Sequence, residues 1–547
     1  MLEGLVQHDH PLTLQHVLSR MRTVHRESEI VTLTDKGTER ATYAEVCERA
    51  DRLANVLTNK LGIEPGDRVA TFAWNTQNHL EVYLAAPCIG AVLHTLNLRL
   101  FEEQLTYIAN HAKDRVVFVD STVVPLMEKV ADTFETVEHF VIMGGDGDPG
   151  SLPNALNYEE LLADQPAEYD YPEVDDRSAA GLCYTSGTTG NPKGVLYSHR
   201  SQILHSFGTC LADAMGLQEA DTVLPIVPMF HANSWGIPYA AGLVGCDLVM
   251  PGQFLQAEPL AKLIKEEKVT ISAAVPTIWM DLLKHADTKD DVDLSSLRTV
   301  ICGGAAVPLS LMKQFEERHG VHIVQAWGMT EMSPLGTVAR PPADVSEDEH
   351  WGFRDRAGRL MPLVEARLVQ DDGGEAPWDG ESTGELQVRG PWIASAYYED
   401  PEGDDKFDDG WLRTGDIASI DSRGFVRITD RSKDVIKSGG EWISSVELEG
   451  ELMAHPEVEE AAVIARPDER WTERPLACVV LSEGASASPE DLTEHLKSRV
   501  AKWWLPEEFA FIDEVPKTSV GKFDKKMLRQ RLADGDLETK PVSEKVG

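Results

Sequence analysis

The stretch CYTSGTTGNPKGVLYSHR, residues 183–200, places four hydroxyls, three glycines and a lysine between Thr185 and Gly194. Hydroxyls, backbone N–H groups freed by glycine, and an ammonium together make a concavity suited to an anion. Thr185, Ser186, Gly187, Thr188, Thr189, Gly190 and Lys193 supply all three. The apolar run SAAGLCY precedes them and a helix-like pattern begins near Ser198, which predicts a loop at a strand end with helix N-terminal donors at hand. Two other loops fail on spacing. Pro192 stands where a Walker loop needs its second glycine, and Tyr184 where a nucleophile elbow needs its first.

The surrounding chain is strongly acidic: 51 basic against 91 acidic residues, a net charge of −40 over 547 residues. Such a surface repels nucleic-acid backbones and anionic membranes, so no nucleic-acid partner is expected. A polyanionic substrate would need a locally basic pocket set against this field. Acid-rich stretches such as DVSEDEH (344–350) and EDPEGDDKFDDG (399–410) read as solvated surface, suited to a salty cytoplasm. No apolar run approaches bilayer length and no leader pattern opens the chain, which predicts a cytoplasmic protein without stable membrane insertion. The seven cysteines are scattered without a CxxC pair and read as buried thiols, not zinc ligands.

The elements that must position the loop follow an α/β rhythm. TYAEVCERADRLANVLTNKLG (42–62) predicts a helix opened by Thr42 with Glu45 and closed by Gly62; RVATFAW (68–74) and RVVFVD (115–120) predict buried strands. Helix and strand alternate through the first four hundred residues or so, predicting mainly parallel, helix-covered sheets. After about 340, short strands punctuated by Gly and Asp predict an antiparallel sheet or small barrel over 340–430. A change of pattern near Asp430–Arg431 divides the chain into 1–430 and a separate unit, 431–547.

YTSGTTGNPKGV closely resembles the signature loop of the adenylate-forming superfamily: acyl-CoA synthetases, peptide-synthetase adenylation domains and firefly luciferase. Companion stretches occur in order: QAWGMTE (325–331), GWLRTGD (410–416), DRSKDVIKSGGEWIS (430–444) and PKTSVGK (516–522). The resemblance implies a large N-terminal domain of two helix-covered sheets plus a small barrel, and a mobile C-terminal α+β domain. It implies that ATP and a carboxylic acid form acyl-AMP and pyrophosphate, and that coenzyme A then displaces AMP. By the same resemblance the 185–193 loop cradles phosphates, Thr185 and Glu331 hold Mg²⁺, and Gln325, Ala326, Gly328 and Thr330 lie along the nucleotide. Asp416 takes the ribose hydroxyls with Arg431 beside it. Trp327, at a position where relatives commonly carry Tyr, would stack on adenine. Lys522 bonds the carboxylate and α-phosphate, and Lys433, Lys437 and Trp442 face nucleotide or coenzyme A. The small domain closes for adenylation and rotates for thioester formation about Asp430–Arg431.

PMFHANSWGIPYAAGLVG (228–245) resembles the family's acyl-site motif. It implies that His231 forms a wall between the carboxylate and nucleotide pockets and that Trp235 gates an apolar tunnel. The small residues Ala240, Ala241 and Gly242 leave room for an alkyl chain; Gly303, Gly304 and Ala305 allow close backbone approach. Together with HTLNLRL (94–100) and SGGEWIS, these features look most like medium/long-chain fatty-acyl-CoA synthetases, whose members are often homodimers. A ligase for a short acid such as methylthiopropionate, a stand-alone amino-acid-adenylating enzyme, and a noncatalytic binding protein are the alternatives.

Overall fold

Thr42 opens the first long helix as the pattern predicts. Its hydroxyl accepts the Glu45 N–H at 3.2 Å, while the Glu45 carboxylate takes the Thr42 N–H at 2.7 Å. This reciprocal cap satisfies donors that the first helical turn leaves open. The α-helix Tyr43–Asn55 then gives way to one π turn, Val56–Lys60, short of the expected Gly62. The side chains of Asn55 and Thr58 bond the carbonyls of Asp51 and Ala54, competing for acceptors of the regular ladder.

The computed structural model describes residues 2 and 4–542, except 146, 186–190, 290, 401–404, 432, 439–440, 469 and 519–522. Two helix-covered sheets form the larger part, as expected. One has seven strands, parallel from Ala155–Asn157 through His139–Met143, Asp114–Asp120, Arg68–Phe72 and Val92–Thr95 to Ala179–Tyr184, with Gly194–Ser198 antiparallel at the edge. The other has 14 strands. Its parallel part includes Thr222–Pro225, Ile271–Ala274, Thr299–Gly303 and His322–Gly328. From Leu335–Val338 onward its pairing is antiparallel.

The composition change after 340 therefore marks a switch in strand direction. The part expected to be barrel-like continues the same sheet, and among the described residues no strand pairing closes it. Gly358 shows how tightly these strands cross. Its φ is +116°, and a Cβ there would lie 2.2 Å from the Val338 carbonyl carbon. A third sheet, of six strands, takes its strands from Ile436–Ser438 to Thr539–Pro541.

The main core fills the space between the two large sheets and includes the fully buried Tyr43, Tyr83, Phe118, Tyr158 and Tyr239; Trp279 and Phe315 belong to a second cluster. Burying one large apolar side chain contributes about 1.5–3 kcal/mol. This packing fixes the carboxyl ends of Ala179–Tyr184, Thr299–Gly303 and His322–Gly328, the edge at which open α/β sheets bind ligands. All seven cysteines are free, and burial pushes the Cys47 thiol up to about 12. Among the described residues no helix is long and apolar enough to cross a membrane.

Gly358→Ala should destabilise the protein by at least ~2 kcal/mol, combining a forbidden φ with backbone overlap. Thermal unfolding should show the midpoint falling by several degrees; an unchanged midpoint would contradict the close crossing.

Candidate active site

The strands Ala179–Tyr184 and Gly194–Ser198 pair with Tyr184 opposite Gly194, so the signature stretch joins two adjacent antiparallel strands. Its described ends are tied together: the Thr185 N–H donates to the Lys193 carbonyl at 2.9 Å, and the Lys193 N–H to Thr185 Oγ1 at 3.1 Å. Ser186, Gly187, Thr188, Thr189 and Gly190 lie outside the described residues. The expected helix is present as His199–Cys210, capped by Ser198. A strand intervenes, however, so the helix donors sit at that strand's far end and not beside Lys193. The alternating burial of Val195, Leu196 and Tyr197 is the period-two signal for that strand.

Lys193 reaches Asp400 at 3.1 Å and lies 4.9 Å from the centre of the Tyr397 ring. Asp400, expected on a solvated acidic surface, is therefore part of this site. The Tyr397 hydroxyl donates to Glu331 Oε1 at 2.6 Å. Burial beside Glu331 holds that phenol well above its ordinary range, so it remains a donor at physiological pH. The Ala394 N–H donates to the Glu331 carbonyl at 2.7 Å, the Tyr398 N–H to the Gly194 carbonyl at 2.8 Å, and the Tyr197 hydroxyl to the Thr330 carbonyl at 2.6 Å. Glu331 is thus buried, 6% exposed, with its carboxylate held by Tyr397 and its backbone carbonyl by Ala394. Gly328 is required sterically: a Cβ there would sit 1.9 Å from the Pro334 oxygen. Sequence reading missed the 394–400 segment; its one visible signal was the adjacent pair Tyr397 and Tyr398 beside acids.

Asp416, 2% exposed, pairs in register with Arg431. Its Oδ1 lies 2.8 Å from Arg431 Nε, and its Oδ2 accepts the Trp327 indole N–H at 2.9 Å. A carboxylate has about four acceptor positions, so capacity for a vicinal diol remains. Trp327 is thereby anchored by the carboxylate and by close packing on Gly336, where a Cβ would lie 2.7 Å from the ring. Gln325 braces the neighbouring turn: its Oε1 accepts the Val307 N–H and its Nε2 donates to the Arg356 carbonyl, both at 2.7 Å.

The acyl-site motif folds into an unusual turn. Ala232, Asn233, Ser234 and Trp235 have φ of 42°, 54°, 50° and 55°, followed by Gly236 at 75°. Left-handed backbone costs about 1–2 kcal/mol for each non-glycine residue, so strong anchors are required. Ser234 Oγ donates to the Val227 carbonyl at 2.7 Å, Cys183 Sγ to Asn233 Oδ1 at 3.3 Å, and the Tyr83 hydroxyl to the Met229 carbonyl. His231 enters the turn with its N–H on the Pro228 carbonyl at 2.9 Å. The turn aims Trp235 at Gly303, where a Cβ would lie 3.4 Å from the indole and 2.7 Å from the Ala326 oxygen. Gly304 has φ +85°, and Ala305 is exposed. Gly242 does not line a tunnel: a Cβ on it would meet Val17 at 2.6 Å and Met21 at 2.9 Å, so its smallness serves the contact with helix Gln15–Thr23.

In the third sheet, Lys437 faces Trp442 across the hairpin Ile436–Ser438 and Glu441–Ile443, and the Lys437 N–H donates to Glu473 at 2.7 Å. Lys433 is exposed, yet partial desolvation by its surroundings lowers its pKa. Lys522 and the Trp442 side chain lie outside what the structure describes.

The AMP-binding enzyme family matches residues 21–398, and the AMP-binding enzyme C-terminal domain matches 447–522. The chain is 44% identical to 3-methylmercaptopropionyl-CoA ligase of Ruegeria lacuscaerulensis, over 96% of this chain and 98% of the relative. It is 46% identical to the long-chain-fatty-acid–CoA ligase of Thermus thermophilus, over 96% of each. The crystal structure of the anthranilate CoA ligase AuaEII with anthranoyl-AMP superposes with a TM-score of 0.85 at 27% identity, covering 96% of this chain and 99% of that one.

Gly236→Ala tests the left-handed turn, since a Cβ there would lie 2.6 Å from His205 Nδ1 at an unfavourable φ. The thermal midpoint should drop by several degrees. A variant as stable as the parent would show that the turn is relaxed.

Proposed function

This chain belongs to the AMP-binding enzyme family and is an AMP-forming acid–thiol ligase, and we propose that it joins medium- or long-chain fatty acids to coenzyme A using ATP and Mg²⁺. The family implies the use of ATP and coenzyme A. The observation carrying the reading is the meeting of Thr185, Lys193 and Glu331 through Tyr397 and Asp400, on the same strand ends that hold Asp416 against Trp327 and Arg431. A hydroxyl, an ammonium and buried carboxylates are thereby gathered in a molecule of net charge −40.

In this reading residues 185–193 take the β- and γ-phosphates and Asp416 the ribose hydroxyls. A carboxylate oxygen of the acid attacks the α-phosphorus while the bond to pyrophosphate breaks, with Lys522 neutralising charge between the two anions. The thiol of coenzyme A then attacks the acyl carbon, and AMP leaves. Thr185 and Glu331 fit Mg²⁺, being a hydroxyl and a carboxylate oxygen of the hard type that ion prefers. The ion would supply charge neutralisation beside the phosphates. His231 and Trp235 border the acid, and Lys433, Lys437 and Trp442 serve nucleotide or coenzyme A.

We place the division of labour at 1–430 and 431–547. The Asp430 backbone pairs with Ile417 in the large sheet, while its carboxylate accepts from Ser445 beyond the hinge. A cytoplasmic homodimer is the setting we propose. A ligase for methylthiopropionate is the second reading, favoured by the Ruegeria relative.

ATP–pyrophosphate exchange with acids of stepped length should peak between C6 and C18 and vanish in Lys522→Ala. A peak at methylthiopropionate would select the second reading, and no exchange with any acid would overturn both. Tyr397→Phe removes the hydroxyl that orients Glu331. It should raise the Mg²⁺ concentration for half-maximal exchange about tenfold, with the rate restored at saturating Mg²⁺; calorimetric binding of Mn²⁺ with a nonhydrolysable ATP analogue should weaken in parallel. Unaltered metal dependence would remove Tyr397 from the metal's surroundings.

A further inference from the structure

Residues 518–522, which include Lys522, are flanked by an antiparallel bridge between Lys517 and Phe523. The Asp524 N–H donates to the Pro516 carbonyl at 2.7 Å, closing the same base. The helix Lys525–Asp534 begins immediately afterwards, capped by the Asp524 side chain. Its first residue, Lys525, points inward, with only 11% of its side chain exposed.

Lys525 meets the helix Ser445–Met453 and, through it, the hinge. Its ammonium donates to Ser445 Oγ at 2.6 Å and lies 2.7 Å from Glu449 Oε1. Ser445 Oγ and its N–H both donate to Asp430 Oδ2, at 2.5 Å and 2.7 Å. Glu449 Oε1 also accepts the Val463 N–H at 2.7 Å. Asp430 and Glu449 are 1% and 7% exposed, so this single ammonium faces two buried carboxylates. One turn further along the same helix, Arg529 pairs with Asp434 at 2.6 Å. Two struts therefore run from the helix at the base of 518–522 to either side of the hinge, at 430 and at 434.

We propose that Lys525, held by Glu449 and Ser445, is a positioning residue that ties the base of the Lys522 segment to the Asp430 hinge, so that turning the hinge delivers Lys522 in a fixed orientation. The inference rests on the role given to Lys522 above. Adenylation needs Lys522 at the acid and α-phosphate; thioester formation follows after the small domain has rotated and carried Lys522 away. A loosened strut therefore impairs the first half-reaction and spares the second. General destabilisation would lower both.

The test uses the full-length enzyme with two assays, ATP–pyrophosphate exchange and acyl-CoA formation from supplied acyl-adenylate and coenzyme A. Lys525→Met should lower exchange ten- to a hundredfold, leave the second rate within threefold, and be rescued in large part by Lys525→Arg. Ser445→Ala, which keeps the ion pair with Glu449, should give the same split at smaller size and guards against a Lys525→Met protein that fails to fold. Equal losses in both assays, or no loss in exchange, would overturn the proposal. Lys522→Ala serves as the reference. If it retains exchange, the role of Lys522 fails; if it loses exchange while Lys525→Met and Ser445→Ala do not, the strut alone fails.

Discussion

A carboxylate withdrawn from water is costly to bury unless donors replace the water it has lost. Three such groups organise this protein. Glu331 is held by Tyr397, Asp416 by Trp327 and Arg431, and Asp430 by Ser445 with Lys525 behind it. Each set of donors comes from a different part of the chain. Satisfying these acids therefore brings together the turn after His322–Gly328, the 394–400 segment, the hinge strand Phe425–Arg431 and the helix Lys525–Asp534. The apolar core between the sheets provides the rigidity, and the buried acids determine which segments meet at the strand ends.

The global charge gives these contacts added meaning. With −40 over the whole chain, a triphosphate would be repelled from most of the surface. The cations that matter are placed individually, each against an acid: Lys193 on Asp400, Arg431 on Asp416, Lys525 on Glu449. Pairing keeps them oriented in the absence of a ligand. In the proposed reaction an incoming phosphate would compete for Lys193 with a partly buried aspartate, an exchange easier than ordering a free lysine against the field.

Much of this was legible in the sequence because its signals are local. The Thr42 cap, the period-two burial of the strands and the glycine-hydroxyl stretch all depend on residues a few positions apart. What stayed hidden depends on residues far apart. Asp400 looked like one more solvated acid because its partner Lys193 lies far away along the chain. Gly242 looked like tunnel lining because nothing in its own helix announces Val17 and Met21. The helix begins at His199 as its pattern indicates, but its donors were expected beside the loop because the alternation of the intervening strand Gly194–Ser198 spans only a few residues. The left-handed turn at 232–236 had little signal: Ala232, Ser234 and Trp235, which normally avoid positive φ, adopt it together with Asn233 where Val227, Cys183 and Tyr83 hold the turn.

The proposed chemistry requires the stem of the 185–193 stretch and the Asp416 carboxylate to bind one and the same nucleotide. A crystal structure with a nonhydrolysable ATP analogue measures this most directly. Ribose hydroxyls are expected on Asp416 and terminal phosphates beside Thr185, with Lys193 released from Asp400 toward them. An analogue bound elsewhere, with Lys193 still on Asp400 and no density against Asp416, would contradict the proposed chemistry.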